Sequence, residues 1–243
     1  MKHRLTLAAA LVLAPIVVTA CNSSSTPSAG KSPPASPSSP APNTSPSVGG
    51  DDKQRTAAIQ LTAADLPTGW KSEAVKTTPA QQRAEDEYFD ACLGVPTIET
   101  IQTTSSVVDF SRSDGFAFAD GLVNVTTTEA QAQQDEEALT GPKAVDCAVA
   151  TTKKFLTPPN GAKILSIIGS KLDQPEGHIG IRTIVTFQLS NGRKVTLTSD
   201  TIGIIVKRFE VQINFTGVVQ PPQQSLEDSV SAKVFARAIA NAS

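Results

Sequence analysis

The sequence predicts an α+β fold: an antiparallel β-sheet covered by helices, with a closing C-terminal amphipathic helix. Three observations carry this. Helix caps and helical spacings fall early in the chain, strict apolar–polar alternation takes over after Pro158-Pro159, and an apolar repeat of four residues returns beyond residue 223. No internal repeat interrupts the order.

Residues 1–20 form a leader. A charged start (Lys2, His3, Arg4) precedes an apolar run from Leu5 to Val18 and the small pair Thr19-Ala20. Such a run is the core of a signal peptide and is short for a bilayer span. An ordinary secretory cleavage near Ala20 would use the same three regions and leave Cys21 as a free thiol. An odd thiol in an oxidising compartment is a liability, which favours Cys21 as the lipidation site. Two or three acyl chains, at ~0.8 kcal/mol per buried CH₂, hold a chain stably where one is marginal.

Residues 21–53 are read as the modified cysteine and a disordered tether. Positions 22–50 hold ten Ser and seven Pro and almost no apolar side chain. Such a stretch cannot bury enough surface to offset the entropy of ordering. In polyproline-II geometry, at about 3.1 Å per residue, it spans some tens of ångströms. A single domain is expected over 54–243, long enough for a real core. The formal charge is −2, and loss of Lys2 and Arg4 with the leader makes it −4. A mildly acidic balance argues against a nucleic-acid partner.

Within the domain, LTAADLPTGW (61–70) predicts a short helical turn stopped before Pro67, then a strand starting at Trp70. Residues 82–93 read as a helix with Ala84, Tyr88, Ala91 and Cys92 inward, ended by Gly94 and Pro96. Strands follow at 106–112 and 116–126. Thr128 with Gln131 forms a capping box for a second helix, and Gly141-Pro142 ends it and opens a third. In that third helix Val145, Ala148, Val149, Thr152, Phe155 and Leu156 make the stripe, with Cys147 on its flank. Ile179, Ile181, Val185, Phe187 and Leu189 alternate with polar residues. A three-residue Ser190-Asn191-Gly192 turn then pairs Phe187 with Val195 and Val185 with Leu197. Residues 201–207 are ambiguous. Phe209, Val211, Ile213 and Phe215 share one strand face. In the last helix Leu226, Val230, Val234 and Ala238 repeat every four residues, Ile239 lies beside them, and Glu227, Asp228, Lys233 and Arg237 lie off that stripe.

Cys92 and Cys147 are expected to form a disulfide, since neither has a neighbouring His or Cys at metal-ligand spacing. Closing that loop is worth about 4 kcal/mol in the chain-entropy model. No catalytic residue, metal site or cofactor is predicted. The sequence holds no G-x-S-x-G, phosphate loop or dinucleotide fingerprint, and His178, on the face opposite Ile179 and Ile181, is read as exposed. Glu85-Asp86-Glu87 with Asp90, and Asp135-Glu136-Glu137, are read as solvated helix faces, their spacing unlike a calcium loop. Arg182 and Lys194, projecting from the sheet's outer face, are candidate contacts for an anionic ligand or plain edge protection. Trp70 is either a core anchor or a binding-surface aromatic.

The Val18-Thr19-Ala20-Cys21 lipobox, the Ser/Pro tether, LTAADLPTGW, a cysteine in a helix before the meander, VQINFTG and the closing helix together resemble a family. It is that of actinobacterial lipoproteins with a sensor-like extracytoplasmic domain, similar to the sensor domains of serine/threonine kinases of the PknH type. Mog1/PsbP-like α/β/α lipoproteins are the second resemblance. The kinase domains typically carry two disulfides, and this chain has cysteines for one. The resemblance implies a non-enzymatic binding or sensor module on the outer face of the cytoplasmic membrane, held by its lipid and facing an envelope ligand or a protein partner. Carriage of lipid or another apolar ligand between sheet and helices is one alternative, and cell-wall hydrolysis is another. An alkyne-tagged fatty acid fed to producing cells is expected to label the wild-type chain and not Cys21→Ala; equal labelling of both contradicts the lipobox.

Overall fold

The computed structural model describes residues 50–74, 79–96, 102–158 and 161–242, so the leader, Cys21 and the tether through residue 49 lie outside the described residues. In chain order the elements are α1 (Gly50–Ile59), a 3-10 turn (Ala63–Asp65), β1 (Trp70–Glu73), α2 (Pro79–Leu93), β2 (Gln102–Arg112) and β3 (Ala117–Thr126). Then come α3 (Glu129–Thr140), α4 (Ala144–Phe155), β4 (Lys163–Lys171), β5 (His178–Gln188), β6 (Lys194–Val206), β7 (Phe209–Val218) and α5 (Gln224–Asn241). The strands form one sheet in the order β1-β2-β3-β7-β6-β5-β4, every neighbouring pair antiparallel. The mixed α+β class with its closing helix is what the sequence predicts.

Register sorts the side chains into two faces. Phe110, Ala119, Val123, Val125, Ile202, Ile204, Phe209, Val211, Ile213 and Phe215 lie on the first, packed with Ile59 and Leu61 of the α1 region and Val230, Val234 and Ala238 of α5. The second face carries two smaller clusters. Val185, Phe187, Leu197 and Val218 form one, and Ile181 with Ala144 and Ala148 of α4 and the partly buried Phe89 and Leu93 of α2 forms the other. The sheet is therefore the middle of three layers.

The Ser190-Asn191-Gly192 turn sets Phe187 opposite Val195 and Val185 opposite Leu197, with Gly192 at φ 80°. That left-handed position suits glycine and brings both apolar pairs to one face. The ambiguous 201–207 stretch continues β6, which turns into β7 through Lys207 and Arg208, since Val206 pairs with Phe209. Thr128 caps α3 through Gln131 N–H at 3.2 Å, as the capping pattern predicts.

Four features depart from the sequence reading. The folded part reaches back to Gly50, since α1 covers residues assigned to the tether, and Arg208 bonds the buried Asp52 at 3.0 and 3.2 Å. Strand β4 is unforeseen: KILSIIGSK does not alternate, because it is an edge strand with a register shift between Ile164 and Ser166. Helix α4 starts at Ala144 rather than Pro142. Its Cys147 is buried where it meets Cys92. Helix α2 turns a different face inward: Ala84 and Ala91 are exposed while Glu85, Asp86 and Asp90 are buried.

The layers touch closely at glycines. A Cβ on Gly169 of β4 would stand 2.7 Å from Val149 and 2.8 Å from Val145 of α4. A Cβ on Gly121 of β3 would meet Gln60 and Leu61, each at 2.8 Å. Hydrogen at these positions lets α4 and the segment after α1 sit directly on the sheet. The 3-10 turn in LTAADLPTGW is locked to α5 by Arg237, whose two terminal nitrogens each reach Asp65 at 2.8 Å. Burial opposes charge on Asp65, but hydrogen bonds from Arg237 and Thr62 win and hold its carboxyl below the ordinary value. Among the described residues no helix is long and apolar enough to cross a membrane.

Candidate functional site

Between the second sheet face and helices α2, α3 and α4 lies a partly open chamber of ≈ 130 Å³. Its floor is the middle of the sheet, with Leu122, Ile179, Ile181, Gly203 and Ile205 among the lining residues. Helix α2 supplies Asp86, Phe89, Asp90 and Leu93, α3 supplies Asp135 and Leu139, and α4 supplies Ala148 and Thr151. Central sheet positions are apolar because two layers cover them. The chamber exists because α2 stands on α4 rather than on the strands.

That stance is covalent. Cys92 and Cys147 form a disulfide with Cα atoms 5.7 Å apart. Tyr88 meets Phe155 edge-on at 5.8 Å, and the Lys154 ammonium lies 3.8 Å from the centre of the Tyr88 ring. Together these fasten the outer flank of α2 to α4 and turn Glu85, Asp86, Phe89, Asp90 and Leu93 inward.

The chamber's charged groups are acids. Among the described residues lining it are Asp86, Asp90, Asp135 and Glu210, with no Lys, Arg or His. Asp86 is 3% exposed, and neither of its oxygens has a hydrogen-bond partner among the described residues. Burial first, then the neighbouring Asp90, Glu85 and Glu87, pushes its carboxyl up to about 9. Glu210 is raised well above its usual range by burial and by Asp135, with which it makes a carboxyl–carboxylate hydrogen bond. Asp135 is itself raised by burial and accepts from Gln131 at 3.0 Å. The two carboxyls thus share a proton. The solvated-face reading of both acidic runs is corrected: in α2 three of its acids are buried, and Asp135 faces the chamber.

The named candidates from the sequence do not converge. Arg182 lies under α5, not on an outer face. Its Nε and Nη2 reach the two oxygens of Asp200 at 2.6 and 2.5 Å, with Asp200 fully buried. Glu227 of α5, expected off the apolar stripe, is 1% exposed against this pair, and burial and then Asp200 push its carboxyl up to about 8. Lys194 is exposed at the start of β6. Trp70 is half-buried on edge strand β1, packed against the main core and lining a separate groove with Phe116 and Leu226. His178 points away from Ile179 and Ile181 as expected, but it is half-buried, 5.0 Å from the Phe235 ring. Among the described residues no group of three His, Cys, Asp or Glu has the geometry for a metal.

The acids were missed because they interrupt the apolar period. Phe89 and Leu93, four residues apart, were the visible signal for the inward face; the acids beside them moved the apparent stripe to Ala84, Tyr88 and Ala91. No protein-family profile matches the chain, and no curated protein does. Among solved structures, the extracellular domain of PknH from Mycobacterium tuberculosis superposes with a TM-score of 0.42 at 11% identity. The match covers 74% of this chain and 95% of that one. A likeness of this depth carries no functional information.

Raised carboxyls set a pH dependence. A group whose folded pKa exceeds its unfolded value contributes stability that is complete below the unfolded value and lost as pH rises through the folded one. Asp86 spans 3.8 to about 9 and Glu227 spans 4.5 to about 8. The lowered Asp65 acts only below its ordinary 3.8, outside this window. The urea midpoint is therefore expected to fall steadily from pH 5 to pH 9, with a shallower fall in Glu227→Gln; a flat or rising profile contradicts the assignment.

Proposed function

We propose that this chain is a lipid-tethered, extracytoplasmic binding module that takes a small ligand into the chamber between its sheet and helices α2, α3 and α4. Supporting the tether are the lipobox ending at Cys21 and the Ser/Pro stretch that follows it. Supporting the extracytoplasmic side are the leader and the Cys92–Cys147 disulfide, which suits an oxidising compartment. The observation that carries the ligand site is the chamber itself: an apolar cavity whose wall includes a buried carboxyl with no hydrogen-bond partner among the described residues. Buried polar groups are normally satisfied, and each exception calls for a reason. Ligand sites are typically concave and mostly apolar, with a few convergent polar groups, which is this composition.

A binding role rather than catalysis fits the chemistry within reach. Among the described residues the acids line the chamber without a histidine or a metal cluster beside them, and His178 lies on the other face of the sheet. The chamber's size favours small ligands over lipid chains, since a cavity of about 150 Å³ accommodates a benzene-sized molecule. The envelope ligand would thus be a small molecule, or a small group on a larger one.

A neutral apolar probe tests the chamber. Cyclopentanol is expected to raise the melting temperature of the full chain saturably. Gly203→Leu, which fills the chamber from its floor, is expected to abolish that shift while leaving a cooperative melt. An equal shift in wild type and variant places the probe elsewhere and contradicts the reading.

A further inference from the structure

The chamber pairs apolar walls with charge of a single sign. Its acids come from three elements: Asp86 and Asp90 from α2, Asp135 from α3 and Glu210 from β7. The rest of the lining is neutral: α4 adds Ala148 and Thr151, β5 adds Ile179 and Ile181, and β6 adds Thr201, Gly203 and Ile205. Glu85 and Glu87 add to the negative field at Asp86 from within α2. No described lining residue is a cation.

We infer that the chamber receives a small organic cation, its ammonium group seated on the unpartnered Asp86 carboxylate and its apolar body against Phe89, Leu93 and Ile181. This rests on the chamber being a ligand site. An ammonium group brings three donors to a buried acceptor that has none and supplies the opposite charge the site lacks. A neutral apolar ligand would leave the carboxyl oxygens dry and unpaired, at a cost. An anion would meet like charge at close range. A hard metal ion needs six or more oxygens around it, and the apolar walls deny them. The cavity of ≈ 130 Å³ sets the size of the body. By comparison with cavities that bind benzene, it takes about five or six carbons.

Binding then exchanges a proton for the ligand. Asp86 in the empty chamber is held protonated through neutral pH, its carboxyl pushed up to about 9. An ammonium partner stabilises the carboxylate, so the proton leaves to solvent as the cation enters. Affinity for the cation therefore rises with pH, up to about tenfold per unit, while the amine itself stays charged, as a lysine-like amine does to about pH 10.

Isothermal titration of the full chain with cyclopentylammonium, cyclopentanol and cyclopentanecarboxylate, and with calcium chloride, tests this. The expected result at pH 8 is binding of the amine at least tenfold tighter than the alcohol, with no binding of the carboxylate or calcium. Asp86→Asn is expected to bring the amine down to the alcohol's affinity while alcohol binding persists, which shows that the chamber remains formed. If that variant does not fold, the wild-type pH series decides: amine affinity rising from pH 6 to pH 9 supports the inference, and a flat or falling series overturns it. Equal affinity for amine and alcohol, calcium binding with the same heat, or an unchanged amine affinity in a folded Asp86→Asn also overturns it. Binding of alcohol and amine alike leaves the ligand chamber standing and removes only the cation; binding of neither removes both.

Discussion

The Cys92–Cys147 bond is the constraint on which the chamber depends. It ties α2 to α4 with their Cα atoms 5.7 Å apart, and α4 in turn rests on β4 where Gly169 offers no side chain. Through that relay a helix bearing several acids is held above the sheet with its acids inward. Without the bond, α2 would gain by rotating Asp86 and Glu85 into water, because burying carboxyls is costly. In the chain-entropy picture the cross-link supplies about 4 kcal/mol by restricting the unfolded ensemble. That is of the size needed to retain a strained electrostatic arrangement in a domain of ordinary marginal stability.

The two helical layers solve the same problem differently. Under α5, Asp200 is fully buried yet carries a two-point contact from Arg182, so its charge is matched. Glu227 beside it is pushed up to about 8 by burial and then by Asp200, with Arg182 opposing. Under α2, Asp86 has neither a cation nor a hydrogen bond from the described residues. The first layer therefore sets its buried acids against a cation, Arg182. The second sets its acids beside an open volume with no described cation, and that difference, rather than the number of acids, is what the proposed ligand site rests on.

Much of the fold was legible in the sequence because burial there obeys simple periods. Phe209, Val211, Ile213 and Phe215 alternate and do share the core face; Val230, Val234 and Ala238 repeat every four and are fully buried. The Ser-Asn-Gly turn was legible because only one register gathers Phe187, Val195, Val185 and Leu197 on one side. Strand β4 was hidden, since an edge strand with a bulge has no clean alternation, and α1 was hidden by its polar composition. The site was hidden for a deeper reason. Sequence patterns assign charge to solvent, and Asp86, Asp90 and Glu227 are buried against that rule. Arg182 was read as an outer-face residue because its partner Asp200 lies eighteen residues away, and only the sheet register shows that they face each other.

A crystal structure of the full chain grown with cyclopentylammonium tests the central claim most directly. The account predicts the nitrogen within hydrogen-bond distance of Asp86 and the ring among Phe89, Leu93 and Ile181. The amine bound only elsewhere, with the chamber closed by its own side chains and Asp86 hydrogen-bonded to the protein, would contradict it.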